Sequence, residues 1–180
     1  MLVTGHRKAQ RGFSLLELLV CIAIIGILSG VVLAQYKSFN SSILLRDLAY
    51  DIALSTRQAQ VYGISVRSTG GSFQYAYGMH FTLGNQYTLF VDRNDDGRYN
   101  VGEDVSVYTI GQENRIIGLC ADTTGPLTIL DVLFKRPDPD ALFYTNPAVG
   151  SALSYSVVVG GVGGTPRSIF IRSTGQIEVQ

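Results

Sequence analysis

From Phe13 to Ala34 the chain reads FSLLELLVCIAIIGILSGVVLA, apolar throughout except for one ionisable residue, Glu17. A run of about 20 apolar residues from Leu15 suits a helix that spans a bilayer. Beyond Ala34 the pattern becomes amphipathic. Leu45, Leu48, Ile52 and Ala59 recur at three-, four- and seven-residue spacing, with Arg46, Asp47, Asp51 and Arg57 between them. That spacing predicts a continuing helix whose apolar stripe packs under a sheet. Asn40, Ser41 and Ser42 form a polar patch that can kink or recap it. From Gly63 onward short β-type runs alternate with turns. Strands are expected at Ser72–His80, Gln86–Asp92, Val105–Ile110, Arg115–Ala121, Leu127–Lys135, Leu153–Val159, Arg167–Arg172 and Gln176–Gln180. Pro137–Asp140 and Gly160–Gly164 punctuate loops, and no internal repeat appears. One long helix followed by strands alone predicts an α+β fold, with antiparallel sheets packed on the end of the helix.

Composition adds one asymmetry. The 180 residues hold 14 Lys and Arg against 14 Asp and Glu, but Arg7, Lys8 and Arg11 all precede Phe13 and no acid does. Without residues 1–12 the balance is 11 bases against 14 acids, a net charge of −3. Such a chain is a poor general binder of nucleic acid, which calls for clustered Lys and Arg. Cys21 and Cys120 lie in different segments, so a disulfide scaffold is excluded.

Glu17 separates three readings of the N-terminal segment. A secretory signal has an apolar core of about 7–15 residues, shorter than this one. A plain anchor explains the length and the preceding Arg and Lys through the positive-inside rule. It gives no reason for an acid that costs roughly 2.5–3.5 kcal/mol near the centre of a membrane helix. The stretch Arg11-Gly12-Phe13-Ser14-Leu15-Leu16-Glu17-Leu18-Leu19-Val20 resembles the class III signal of type IV prepilins and type II secretion pseudopilins.

That resemblance implies cleavage after Gly12 by a membrane prepilin peptidase on the cytoplasmic side, then N-methylation of the new amine on Phe13. Glu17 becomes the fifth mature residue, where the family keeps a glutamate that attracts the terminal ammonium of a neighbouring subunit. The physics agrees, since an amine and a carboxylate are each costly in hydrocarbon and largely cancel when paired between helices. Ala34 stands where the family often has a proline. The implied organisation is a leader at 1–12, a transmembrane and assembly helix at 13–36, an amphipathic helix at 37–62 and a β-rich head at 63–180.

The rest of the chain resembles the GspH/FimT family of minor pseudopilins and minor pilins. The matching segments are Arg57-Gln58-Ala59-Gln60-Val61-Tyr62-Gly63, Val132-Leu133-Phe134-Lys135-Arg136-Pro137 and the ending Gly175-Gln176-Ile177-Glu178-Val179. The resemblance implies a subunit that partners other pilin or pseudopilin subunits. It would sit in the inner membrane before assembly, with its head outside the cytoplasm, and then in a pilus or pseudopilus. DNA-uptake members of the family use a basic C-terminal region. Here Arg167 and Arg172 are present but the tail Gln176–Gln180 is not basic.

Nothing in the spacing marks an enzyme. His6 and His80 are the only histidines, too few for a zinc cluster, and no phosphate loop occurs. His80 is expected at the surface or half-buried. Tyr75, Tyr77, Tyr87 and Tyr99 are expected on sheet faces. One stretch carries candidate chemistry: Asp92-Arg93-Asn94-Asp95-Asp96-Gly97-Arg98-Tyr99-Asn100-Val101-Gly102-Glu103 fits the D-x-[DN]-x-[DN]-G-x5-E pattern of a calcium loop. Asp92, Asn94 and Asp96 would supply side-chain ligands and Arg98 its carbonyl. Asn100 would act directly or through water, and Glu103 would close the site bidentately. The alternative is a solvated acidic β-turn on Asp96-Gly97.

Two function classes follow. One is a structural filament subunit; the other is a membrane-tethered module that binds a ligand or surface and never enters a filament. Gly12 and Glu17 separate them, because a plain tether needs neither.

Overall fold

The computed structural model describes residues 13–65, 75–111, 113–122, 124–150 and 152–180, with the backbone alone at 34–38 and 124. The chain divides into two units between Lys37 and Ser38.

Helix α1 spans Leu15–Ile64. Its first turn is closed by the Leu18 N–H donating to the Ser14 carbonyl at 3.1 Å. No proline interrupts it, and it runs through Asn40–Ser42 without a break. From Leu15 to Leu33 it is long and apolar enough to cross a membrane, and none of that stretch is buried.

In the second unit α1 turns one stripe inward. Leu45, Ala49, Ile52 and Ala59 are fully buried, while Leu48 packs at their margin. The stripe also carries Ser55 and Thr56, whose hydroxyls donate to the carbonyls of Asp51 and Ile52 at 2.8 Å each. These bonds one turn back let the helix bury hydroxyls without leaving them unpaired.

Ten strands follow: β1 (Ala76–Thr82), β2 (Gln86–Asp92), β3 (Asp104–Thr109), β4 (Arg115–Ala121), β5 (Thr124–Pro126), β6 (Ile129–Phe134), β7 (Ala141–Asn146), β8 (Ser154–Gly160), β9 (Arg167–Arg172) and β10 (Ile177–Val179). They form two five-stranded sheets, ordered β3-β2-β1-β6-β7 and β10-β9-β8-β4-β5. Every neighbouring pair is antiparallel. The main core joins the buried stripe of α1 to Met79, Phe81 and Leu89 of the first sheet and to Leu119, Val157 and Ile169 of the second. This is the α+β architecture expected from the sequence.

Three strands match the expected bounds: β2, β4 and β9. Two differences have physical causes. Strand β7 lies in the stretch punctuated by Pro137, Pro139 and Pro147, residues that signal loop. Strand β5 has three residues, too few for periodicity to show. Ser72–Gln74, part of the first expected strand, lie outside the described residues.

The end of α1 meets β6 without room for a side chain. A Cβ on Gly63 would run into the backbone carbonyl of Phe134, the last residue of β6. Gly63→Ala should therefore force helix and strand apart and cost about 1–3 kcal/mol, as overpacking in a filled core does. A melting curve of the full chain in detergent measures it. An unchanged midpoint would mean that the contact yields without strain.

Candidate functional site

The N-terminal site starts at the first described residues. Gly12, the expected cleavage position, lies outside them. Phe13 precedes α1 and is exposed, and Glu17 is the one acid in the first turn of the helix. Ser14 and Glu17 also stand at the S-x-x-E spacing of a capping box, in which the glutamate reaches back to the helix N-terminus. The macrodipole favours an acid in this turn as well. The spacing thus offers Glu17 a local use that the apolar pattern alone does not suggest.

The second candidate site is the connection between β2 and β3. Asp92 ends β2 and is 2% exposed; Glu103, just before β3, is 6% exposed. Asp92 accepts from the backbone N–H groups of Asp96 at 3.2 Å and Gly97 at 2.9 Å. Glu103 accepts from Arg93 N–H at 2.9 Å and Asn100 N–H at 3.0 Å. Two buried carboxylates therefore accept from four backbone donors of the turn, one of which, Asp96 N–H, is shared with Asn94 Oδ1 at 3.2 Å. Gly97 takes φ 76°, the left-handed value that its place in the pattern requires.

Asp96 differs. It is exposed, and Asn94 Nδ2 at 3.1 Å, Asn100 Nδ2 at 2.9 Å and Arg98 Nε at 3.0 Å all donate to its Oδ2. Asn100, then Arg98 and Asn94, hold its carboxyl at about 2, below the ordinary 3.8. Burial pushes Asp92 the other way, above 3.8, against the Gly97 and Asp96 N–H groups.

The donor set is all oxygen, the chemistry that calcium takes, and each carboxylate keeps lone pairs beyond those in use. The arrangement is a different matter. Among the described residues no three Asp, Glu, His or Cys side chains gather as a ligand set. In this conformation Arg98 and the two amides stand on Asp96 where a cation would have to stand.

A third cluster pins the connection down, and the sequence did not single it out. The connection folds over the outer face of the first sheet, where Tyr99 packs on the small cluster of Ala76, Phe90 and Leu133. The Tyr99 ring lies 4.4 Å from the His80 ring and edge-on to Phe90 at 5.6 Å. Its backbone N–H donates to Asp131 Oδ2 at 3.0 Å. Asp131 Oδ1 meets His80 Nδ1 at 2.5 Å across the β1–β6 pair, where the two residues are directly opposed. His80 is half-buried as expected. Its partner sits 51 residues away, and only the strand register could have revealed it.

Comparison with known proteins bears on the first site. Residues 7–33 match a family model described as a prokaryotic N-terminal methylation motif. The chain is similar to the pilin-like protein PilA1 of Thermus thermophilus, with 30% identity over 105 residues. That match spans 58% of this chain and 63% of the relative, just under two thirds of its length. A fimbrial protein of Pseudomonas aeruginosa is 47% identical over 34 residues, 19% of this chain and 22% of its own. No solved structure matches. Nothing among these findings shows catalytic activity.

The two titrations in the acidic connection oppose each other. Asp96, lowered when folded, contributes stability that is present above its ordinary 3.8 and lost as pH falls towards about 2. Asp92, raised, contributes below 3.8 and loses that contribution as pH rises through its folded value. Asp96→Asn should flatten the acid limb of melting temperature against pH for the full chain in detergent. An acid limb as steep as that of wild type would remove Asp96 from the balance.

At the N-terminal site, the motif and the relatives together support a type IV pilin-like protein, consistent with a pilus subunit.

Proposed function

We propose that this chain is a minor subunit of a pilus-type filament, of the GspH/FimT kind. It would be made as a prepilin, cut after Gly12 and N-methylated on Phe13 by a prepilin peptidase, and held in the inner membrane until assembly. The observation that carries the reading is the methylation motif leading into an exposed apolar helix whose first turn holds the acid Glu17. The pilin and fimbrial names of the relatives favour a pilus over a secretion pseudopilus. Of the segments that carry the GspH/FimT resemblance, Arg57–Gly63 closes α1, Val132–Phe134 ends β6 with Lys135–Pro137 just beyond it, and Gly175–Val179 falls in the hairpin of β9 and β10.

Two variants separate subunit pairing from helix capping at Glu17. Glu17→Gln keeps a residue that serves a capping box and removes the charge; Glu17→Val removes both. Expressed with a prepilin peptidase and a pilus assembly system, both should yield mature chains beginning at N-methyl-Phe13, seen by intact mass. Both should be lost from filaments by more than about a hundredfold, as expected when one partner of a buried ion pair goes, at about 3–5 kcal/mol. Normal assembly of Glu17→Gln would leave Glu17 a capping residue. A cut after the apolar run would make the segment an ordinary signal peptide.

Within the same reading, residues 92–103 bind one Ca²⁺ that orders the head. Asp92, Asn94, Asp96, the Arg98 carbonyl, Asn100 and Glu103 would hold it once Arg98 Nε and the two amides release Asp96. Support comes from the complete oxygen-donor pattern and from two carboxylates already buried at its ends. Extracellular calcium modules bind at about 10⁻⁴–10⁻³ M. At ten times the dissociation constant, linkage adds roughly 1.4 kcal/mol. The full chain in detergent should therefore melt higher in millimolar calcium than in chelator, and Asp92→Asn or Glu103→Gln should abolish the difference. Identical wild-type curves would leave a metal-free turn.

A further inference from the structure

One end of the head is built from turns that gather beside Ser41. The β8–β9 turn, residues 161–166, lies against α1, where a Cβ on Gly164 would meet Leu45 and the backbone of Ser41. On its other side a Cβ on Gly161 would meet the Asn114 side chain, in the connection from β3 to β4. The turn is therefore seated on two elements, and its tip residue Val162 is nonetheless 75% exposed. Beside the tip lies a groove of about 690 Å³ lined by Arg115, Ile117, Val162 and Pro166, and by Gly84 and Asn85 of the β1–β2 turn. Leu83, next to Gly84, is exposed as well. Arg115 is exposed and enters no ion pair among the described residues.

Two observations say what covers this end. The first is chain length. The membrane-length apolar run ends at Leu33, and the chain from there to Ser41 spans at most about 30 Å, whichever path it takes. Gly63, seated on Phe134 at the opposite end of the head, lies about 33 Å farther along α1 than Ser41. The second is charge. Residues 92–104, at that far end, hold five acids against Arg93 and Arg98. The turns at 83–85, 111–115 and 161–167 hold Glu113 alone against Arg115 and Arg167. A surface of anionic lipid attracts Arg and repels carboxylates, so it orders these two ends without ambiguity.

We propose that the end of the head carrying Val162 and Leu83 rests on the bilayer that holds α1 before assembly. Val162 enters the interfacial layer and Arg115 meets the lipid phosphates. The inference deepens the membrane-held subunit reading above and rests on it. Because α1 already keeps the head at the surface, the contact is intramolecular in effect and needs little affinity of its own. It sets the tilt of the head and leaves the acidic connection in solvent.

The test uses a gap in the composition. The chain has no tryptophan, so one placed at Val162, or at Val101 in the far connection, reports its own surroundings. The full-length variants are reconstituted at high dilution in phosphatidylethanolamine–phosphatidylglycerol vesicles with brominated acyl chains, which quench on contact. Emission of Val162→Trp should shift to the blue and fall by more than half. Emission of Val101→Trp should match that in unbrominated vesicles. Tryptophan itself favours the interface, so Leu83→Asp with Arg115→Glu is added to Val162→Trp. Quenching should then drop severalfold, while the melting temperature stays put because these side chains are exposed. Equal quenching at both positions, or quenching that survives the added charges, would overturn the inference. So would a blue shift without quenching, the sign of a protein neighbour over the tip. Flotation separates the two levels. A chain that does not float with the vesicles removes the membrane-held reading; one that floats with an unquenched tip keeps that reading and removes the contact.

Discussion

Burial of one stripe of α1 is the constraint on which the head depends. Leu45 and Ile52 fill space, worth about 1.5–3 kcal/mol each when taken fully from water. Ala49, Ala59 and Gly63 on the same stripe do the opposite and let the backbone come close. The alternation of large and small explains why two sheets can share one helix. Where a strand must approach the backbone, as Phe134 does at Gly63, the side chain is absent. Polar residues on the stripe obey the same constraint, with the Ser55 and Thr56 hydroxyls bonded to carbonyls within the helix.

The acidic connection shows how one set of residues can answer two demands. Asp92 and Glu103 each bind two backbone N–H groups, which is what a tight turn with buried ends requires. The same carboxylates at the same spacing are what a hard cation requires. A pattern of twelve residues therefore does not separate a turn from a ligand set. The nitrogen donors around Asp96 mark the point where the two uses compete.

What could be read from the sequence follows the distance between the residues concerned. The apolar run, the stripe of α1 and strands β2, β4 and β9 rest on neighbours within a few positions, and they emerged with sound bounds. The connection from Asp92 to Glu103 was visible for the same reason. Strand β7 was hidden because its outward residues Leu142 and Tyr144 are apolar, which blurs alternation, and prolines flank it. The His80–Asp131 pair and the seat of Tyr99 needed the register of β1 on β6, which no local pattern encodes. The charges between the stripe residues of α1 were legible as spacing, but their lack of ion-pair partners among the described residues became visible only with the sheets in place.

The Tyr99 lid has a consequence for how this protein can vary. It gives the first sheet a packed surface on its outer side as well as its inner one, so β2 is buried at six consecutive positions. Neither parity of that strand is left as a reservoir of neutral change. Drift in the head should collect instead on β3 and β7, the outer strands of that sheet, and at the loop tips. Descendants of this chain would then differ most along the rim and least through the middle of the sheet.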